Sequence, residues 1–217
     1  MTTSRRTFLR LLGLASVGLV VDPKLAVIAN NEVYVNSELG IAFKIPSAWH
    51  FYNVQYVRRM HNKQVLKLDA SSLREILKEL NERPLVTFGM HPEDDHDTNS
   101  STAIQFSPSI VLRVEQHGGV TLDEIPYYSD RFLKNAVKDY SSIGSHQFLE
   151  ISGYRSVIRK YRYLYEAAGM NPTPIIGRSC IIDAETHFYS FNMYNYDPED
   201  SYVEECFTQL ESSVAIL

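Results

Sequence analysis

Between residues 146 and 194 the sequence asks for four β-strands in succession, near 146–151, 154–166, 175–183 and 186–194. Along them the side chains sort into faces with the period of two that defines a strand. Tyr161, Tyr163 and Tyr165 share one face with Arg159, and His187, Tyr189, Phe191 and Met193 share another. The links between these strands are short. Parallel neighbours need a crossover of about a dozen residues or more, so short links require antiparallel hairpins. This run excludes a doubly wound parallel fold and sets the frame for the rest of the chain.

The remaining segments fit around such a sheet. Residues 32–52, NEVYVNSELGIAFKIPSAWHF, read as a hairpin that turns at Glu38-Leu39-Gly40; Ile41, Phe43 and Ile45 alternate, Pro46 stops the strand, and Trp49 closes the core edge. Ser72 and Glu75 form a capping box for a short helix over Ser72–Asn81, with Leu73, Ile76, Leu77 and Leu80 on one face. Residues 84–90 read as a strand, 91–101 as a polar loop, and Ile110, Leu112 and Val114 as a further alternating strand. Thr121 with Glu124 gives a second capping box, which places a helix over about 122–140 with Pro126 in its first turn and Phe132, Leu133, Ala136, Val137 and Tyr140 toward the sheet. A last helix opens on Asp197-Pro198-Glu199-Asp200, with proline at the first helical position and acids against the helix dipole. The fold class is therefore α+β: a mainly antiparallel sheet flanked by helices, an α/β/α sandwich.

The N-terminus reads as an address. Ser4-Arg5-Arg6-Thr7-Phe8-Leu9 resembles the twin-arginine export motif, and Arg5, Arg6, Phe8 and Leu9 are its signal residues. The apolar run from Leu11 to Val21 is too short to span a bilayer, which takes about 20 residues. Val27-Ile28-Ala29 supplies modest and small residues for cleavage after Ala29, although an uncleaved, retained signal is the alternative. The expected division is a signal peptide over 1–29 and a single domain over 30–217, exported to the periplasm or another extracytoplasmic space. No other segment is long and apolar enough to span a membrane.

Charge narrows the partners. The chain carries a formal charge of −5; removing Arg5, Arg6, Arg10, Lys24 and Asp22 with the signal leaves 17 basic against 25 acidic residues, or −8. A nucleic-acid backbone repels such a protein, so nucleic acid is excluded as a partner class. Two cysteines, Cys180 and Cys206, are compatible with a disulfide after export or with two buried thiols.

A resemblance now becomes visible. GIAFKIPSAW, the FSPSIVLRVEQ strand, TLDEIPYYSDRFL, ISGYRSVIRKYRY, the paired strands of IIGRSCIIDAETHFYSFNMY, and a closing amphipathic helix ending in SSVAIL follow the pattern of the PsbP-like superfamily over most of residues 32–217. That superfamily includes the extrinsic PsbP subunit of photosystem II, a Ran-binding import factor and many small exported bacterial proteins. The resemblance implies an α+β sandwich that acts by binding other proteins or assisting assembly. Its motifs are structural, and no catalytic residue comes with them.

Chemistry has few places to sit. HPEDDHD gathers His91, Glu93, Asp95, His96 and Asp97 with a fourth carboxylate, a donor set suited to a divalent metal. The spacing fits poorly: as a calcium loop it has Ser100 where the turn glycine belongs and Phe106 where the bidentate acid belongs. A solvated loop between two strands is the other reading. The stripe Tyr161, Tyr163 and Tyr165 suits either a partner-binding or ligand-binding face or a sheet face under a helix. Arg58 and Arg59, with His61 and Lys63, suit an acidic partner or anionic headgroups, or one solvated strand. His50, His117, His146 and His187 show no ligand spacing. The sequence contains no nucleophile elbow, phosphate-binding glycine loop, C-x-x-C or H-E-x-x-H. The expected function is thus a non-enzymatic exported accessory or assembly protein that needs no cofactor and binds a protein or envelope component. The alternatives are metal binding at His91–Asp97 and carriage of a small hydrophobic ligand.

Overall fold

The computed structural model describes residues 27–29 (as backbone), 32–52, 86–92, 107–166, 171–197 and 199–216. The signal residues Arg5, Arg6, Phe8 and Leu9, the patch with Arg58 and Arg59, and the expected helix over Ser72–Asn81 lie outside them. Two antiparallel sheets organise the described residues. The small one has the order β1-β2-β3-β11, from β1 (Val27–Ala29), β2 (Val33–Asn36), β3 (Ile41–Lys44) and β11 (Ala215–Ile216). The large one has the order β4-β5-β6-β10-β9-β8-β7, from β4 (His50–Phe51), β5 (Val86–Gly89), β6 (Ser109–Gln116), β7 (Lys138–Ile151), β8 (Tyr154–Tyr165), β9 (Thr173–Ala184) and β10 (His187–Asn195). Helix α1 (Ile125–Ala136) precedes β7, and helix α2 (Ser201–Ser213) follows β10.

The main core lies on one face of the large sheet. Phe88, Ile110, Leu112, Ile158, Cys180, Ile182, Tyr189, Phe191 and Met193 project from that face and pack against Val203, Cys206, Phe207 and Leu210 of α2. The small sheet covers the rest: the Phe43 ring stacks on Tyr34 at 4.9 Å and meets Phe88 and Phe191 edge-on at 5.8 and 5.3 Å. Trp49 closes the edge against Phe207 at 6.1 Å. The opposite face carries α1, with its Ile125 and the preceding Leu122 against Val157, Ile181 and Phe188. Helices thus flank both faces of a mainly antiparallel sheet.

The hairpin expected over 32–52 forms as β2 and β3, closed where the Asn36 side chain accepts the Leu39 amide at 3.0 Å. Four boundaries differ from the sequence expectation: both ends of α1, the start of β7 and the start of α2. Helix α1 does not begin at 122. The Glu124 carboxylate accepts from the Thr121 amide at 2.9 Å and hydroxyl at 2.8 Å, which closes a turn over 121–124, and the helix starts after it with Pro126 in its first turn. Nor does it reach Tyr140: Val137 is extended, Asp139 has φ 51°, and Lys138 already pairs with Leu164. The strand expected over 146–151 therefore starts at Lys138. Helix α2 is capped by Asp200, which accepts from the Tyr202 and Val203 amides at 3.0 and 3.2 Å, while Asp197 closes a preceding turn onto the Glu199 amide. Strand β1 consists of the three residues before the expected cleavage point. In a chain cut after Ala29, β2 becomes the edge of the small sheet.

Cys180 on β9 and Cys206 on α2 are both free and both buried in the main core. Burial raises both thiols above their ordinary value, which suppresses the reactive thiolate. Neither cysteine is expected to react with an aromatic disulfide reagent at pH 8 within minutes, and both are expected to react once guanidinium unfolds the chain. Stoichiometric reaction of the native protein would contradict this packing.

Candidate functional site

The tyrosine stripe of β8 lies on the α1 face of the large sheet. Register places Tyr161 opposite Gly177 of β9 and Arg159 opposite Ser179. The Tyr161 ring lies across Gly177, where a Cβ would stand 2.2 Å from the ring, so any larger residue at 177 would lift the tyrosine off the sheet. Tyr161 and Tyr165 are buried and Tyr163 is half-buried. Tyr163 and Tyr165 gather with Tyr194, Tyr196 and Ile175 in one cluster. Burial raises the Tyr163 and Tyr194 phenols well above their usual range and Tyr165 to about 12, so these rings stay neutral.

Arg159 belongs to the same face and is only 3% exposed. Its guanidinium donates to Asp130 of α1 at 2.6 Å and to the Tyr140 hydroxyl at 2.8 Å, and it lies 4.9 Å from the centre of the Tyr161 ring. Tyr140 in turn donates to Asp130 at 2.5 Å, and His146 stands 3.8 Å from the other Asp130 oxygen. Burial first, then the Asp130 carboxylate, raises the Tyr140 phenol far above its ordinary value. Asp130 is therefore the pin that holds α1 to β7 and β8.

Of the donor residues of HPEDDHD, only His91 is described. Its amide donates to Ser107 Oγ at 3.2 Å, and its carbonyl accepts from Tyr52 at 2.6 Å. Met90 and Pro108 are joined across the same link at 3.0 Å, so β5 and β6 hold His91 where their connection begins. Glu93, Asp95, His96 and Asp97 lie outside the described residues. Among the described residues no group of three or more His, Cys, Asp or Glu is arranged to hold a metal ion.

The sequence reading missed a different surface. Helix α1 exposes Tyr127 (64%) and Tyr128 (50%), and strand β7 exposes Phe148 (51%), Ile143 (39%) and Leu149 (39%). Among the described residues the other exposed large apolar side chains are Phe51 and Tyr202, so five of the seven belong to α1 and β7. Register puts Phe148, opposite Val157, on the α1 face of the sheet, and Ile143 and Leu149, opposite Lys160 and Ser156, on the other. Tyr202 is partly engaged, since its hydroxyl donates to the Ser47 carbonyl at 2.9 Å. A local signal existed. Tyr127 and Tyr128 are adjacent in a helix, about 100° apart, and both fall outside the face that buries Pro126 and Ala136.

The architecture is that of a PsbP-like α+β sandwich. Among solved structures the chain is similar to cyanobacterial PsbP from Synechocystis sp. PCC 6803, with 11% identity and a TM-score of 0.51 over 93% of this chain and 99% of that one. It is also similar to the Saccharomyces cerevisiae Ran-binding protein Mog1p (7% identity, 86% of this chain and 95% of that one, TM-score 0.48). A third is LpqN of Mycobacterium tuberculosis, described as involved in cell envelope biogenesis (14%, 81% and 82%, TM-score 0.45). No family model and no curated protein sequence matches the chain. Among the described residues no helix is long and apolar enough to cross a membrane.

Proposed function

We propose that this chain is an exported, non-enzymatic accessory protein that works without a cofactor and binds a protein or envelope component through the α1–β7 edge. The observation that carries the reading is that, among the described residues, five of the seven exposed large apolar side chains, Tyr127, Tyr128, Ile143, Phe148 and Leu149, belong to α1 and the edge strand β7, with Phe148 on the α1 face. Exposed aromatic and aliphatic side chains concentrated on neighbouring elements mark interaction sites. The likeness in fold to cyanobacterial PsbP and the twin-arginine-like Arg5-Arg6 pair support an extracytoplasmic accessory role.

Site-resolved cross-linking tests it. A photoreactive residue at 148 or 127 is expected to give a discrete adduct in the exported fraction of cells, and the same residue at the exposed Gln209 of α2 is expected to give none. Arg5→Lys with Arg6→Lys is expected to abolish both export and the adduct. Equal adducts from all three positions, or none from 148 and 127, would refute the proposed surface; export unaffected by the arginine pair would refute the address.

A further inference from the structure

Strand β7 ends the order of the large sheet, so one side of its backbone has no partner strand among the described residues. Its last residues are regular. Ile151 pairs with Tyr154 across a two-residue turn, Ser152 and Gly153, in which both φ angles are positive (56° and 84°). Such a turn makes the flanking residues a hydrogen-bonded pair. Bonding then alternates along the ladder: Leu149–Ser156 and Gln147–Ile158 exchange hydrogen bonds, while Phe148–Val157 and Glu150–Arg155 do not. The N–H and C=O groups of Phe148 and Glu150 therefore point away from β8, toward solvent. Nearer its start, β7 is interrupted by register shifts between Lys138 and Ser141 and between Ile143 and Gln147. Bulges of this kind block edge-to-edge pairing. The open, straight stretch is thus confined to Gln147–Ile151.

Helix α1 lies on the face of the sheet beside β7, where Asp130 meets Tyr140 and His146, next to the start of that stretch. Ile125 faces inward against Ile181 and Phe188 near the sheet centre. At about 100° per residue, Asp130, which meets β7, lies about 140° from Ile125, and Lys134, Tyr127 and Arg131 follow at about 180°, 200° and 240°, on the solvent side of the helix beyond its β7 flank. Arg131 and Lys134 are exposed and join none of the described ion pairs, whereas the acid of α1, Asp130, is bound to Arg159. In a chain of net charge −5, this rim presents two cations beside two tyrosines. The exposed acids of β7 are Glu150, at the turn end, and Asp139, beyond the bulges.

We infer that β7 receives an extended segment of a partner protein as an added strand. Its backbone pairs with Phe148 and Glu150, its apolar side chains lie beside Phe148 and Tyr127 on the α1 face, and its acidic end reaches Arg131 and Lys134. Main-chain hydrogen bonds supply the binding in such additions, and alternate side chains supply the selection. Opposite charge at the rim favours encounter with acidic segments and rejects basic ones. This inference rests on the proposed partner-binding reading and names the partner's chemistry.

The test uses the full chain, isotope-labelled for NMR, and a synthetic peptide of about ten residues with Asp and Glu at one end and alternating Val and Thr over the rest. Binding is expected to shift the amides of residues 147–151 and 127–134. Reversing the peptide's charge is expected to weaken it about tenfold, as is Arg131→Glu with Lys134→Glu. Phe148→Pro removes an outward N–H without touching the β7–β8 ladder, a tolerated place for proline in an edge strand. It is expected to leave the melting temperature nearly unchanged and to weaken binding at least about tenfold. Should that variant fail to fold, peptides N-methylated on alternate residues replace it: methylation of the set facing β7 is expected to abolish binding and methylation of the other set to spare it. No binding at millimolar peptide, equal binding by both methylated peptides, or equal binding by acidic and basic peptides overturns the inference. So does a concentration-dependent dimer lost in Phe148→Pro with no peptide bound, which would give the edge to a second copy of this chain. Adducts from position 148 without peptide binding would leave partner binding standing and remove strand addition alone.

Discussion

Asp130→Ala is expected to destabilise the native state by about 3–5 kcal/mol in chemical denaturation, the usual cost of orphaning a buried charge. Asp130 is partly exposed, but Arg159 is not, and the energy resides in the arginine. With the carboxylate gone, the guanidinium keeps only the Tyr140 hydroxyl among its present acceptors. The Tyr140 hydroxyl also loses its acceptor, and His146 its neighbouring charge. Asp130→Asn retains an acceptor and is expected to cost less. Adding Arg159→Leu to Asp130→Ala is expected to recover most of the loss, since two apolar replacements leave no charge behind. Because Asp130 pins α1 to the sheet, the single variant is also expected to raise amide exchange along 125–136 and to reduce cross-linking from position 127. A loss below about 1 kcal/mol, the scale of an exposed pair, would show that Arg159 is solvated and that the pin does not exist.

The same region shows what a sequence can and cannot reveal about this fold. Strands β8, β9 and β10 were legible because each buries apolar residues at every second position, and the short links between them leave antiparallel pairing as the only choice. The face shared by Arg159, Tyr161, Tyr163 and Tyr165 followed from the same period. Strand β7 resisted because it has little to alternate. It is an edge, mostly exposed, and bulged, so its first residues mimic helical spacing through Val137 and Tyr140. Which strand is an edge is a long-range fact: it depends on β7 pairing, among the described residues, only with β8 and on β6 pairing with β10. No local pattern encodes that order. The proposed docking surface was hidden for the same reason, since Ile143, Phe148 and Leu149 look like ordinary strand residues until β7 is seen to have a neighbour on one side alone among the described residues. Asp130 was equally silent, because its partners lie 10 to 29 residues away.

A second ionic site on the other face leads to the other large effect. Arg178 of β9 donates to Glu211 of α2 through Nε at 2.8 Å and again through Nη2, while Lys160 and Arg178 share Glu204 at 2.8 and 3.4 Å. Both members of the central pair are largely buried, at 11% and 7% side-chain exposure. Burial raises the Glu211 carboxyl above its ordinary value even with Arg178 in place, with Glu204 adding to the rise and Lys160 opposing it. Arg178→Met keeps the volume of the side chain and removes the charge that opposes this rise. The variant is expected to lose about 3–5 kcal/mol at pH 7. The pH dependence fixes the cause. An acid whose folded-state pKa is raised favours folding below its unfolded value, near 4.3 for glutamate, and that contribution is lost as pH climbs through the folded value. Without Arg178 the folded value moves higher still, so the gap between variant and parent is expected to be widest at neutral pH and to close as pH falls toward 4. Arg178→Met with Glu211→Leu removes both charges and is expected to lie within about 1 kcal/mol of the parent with no such pH dependence, because well-packed apolar pairs replace buried ion pairs at little cost. A single-variant loss that is the same at pH 4.5 and pH 7 would assign the defect to packing around the Arg178 stem and would remove Glu211 from the account.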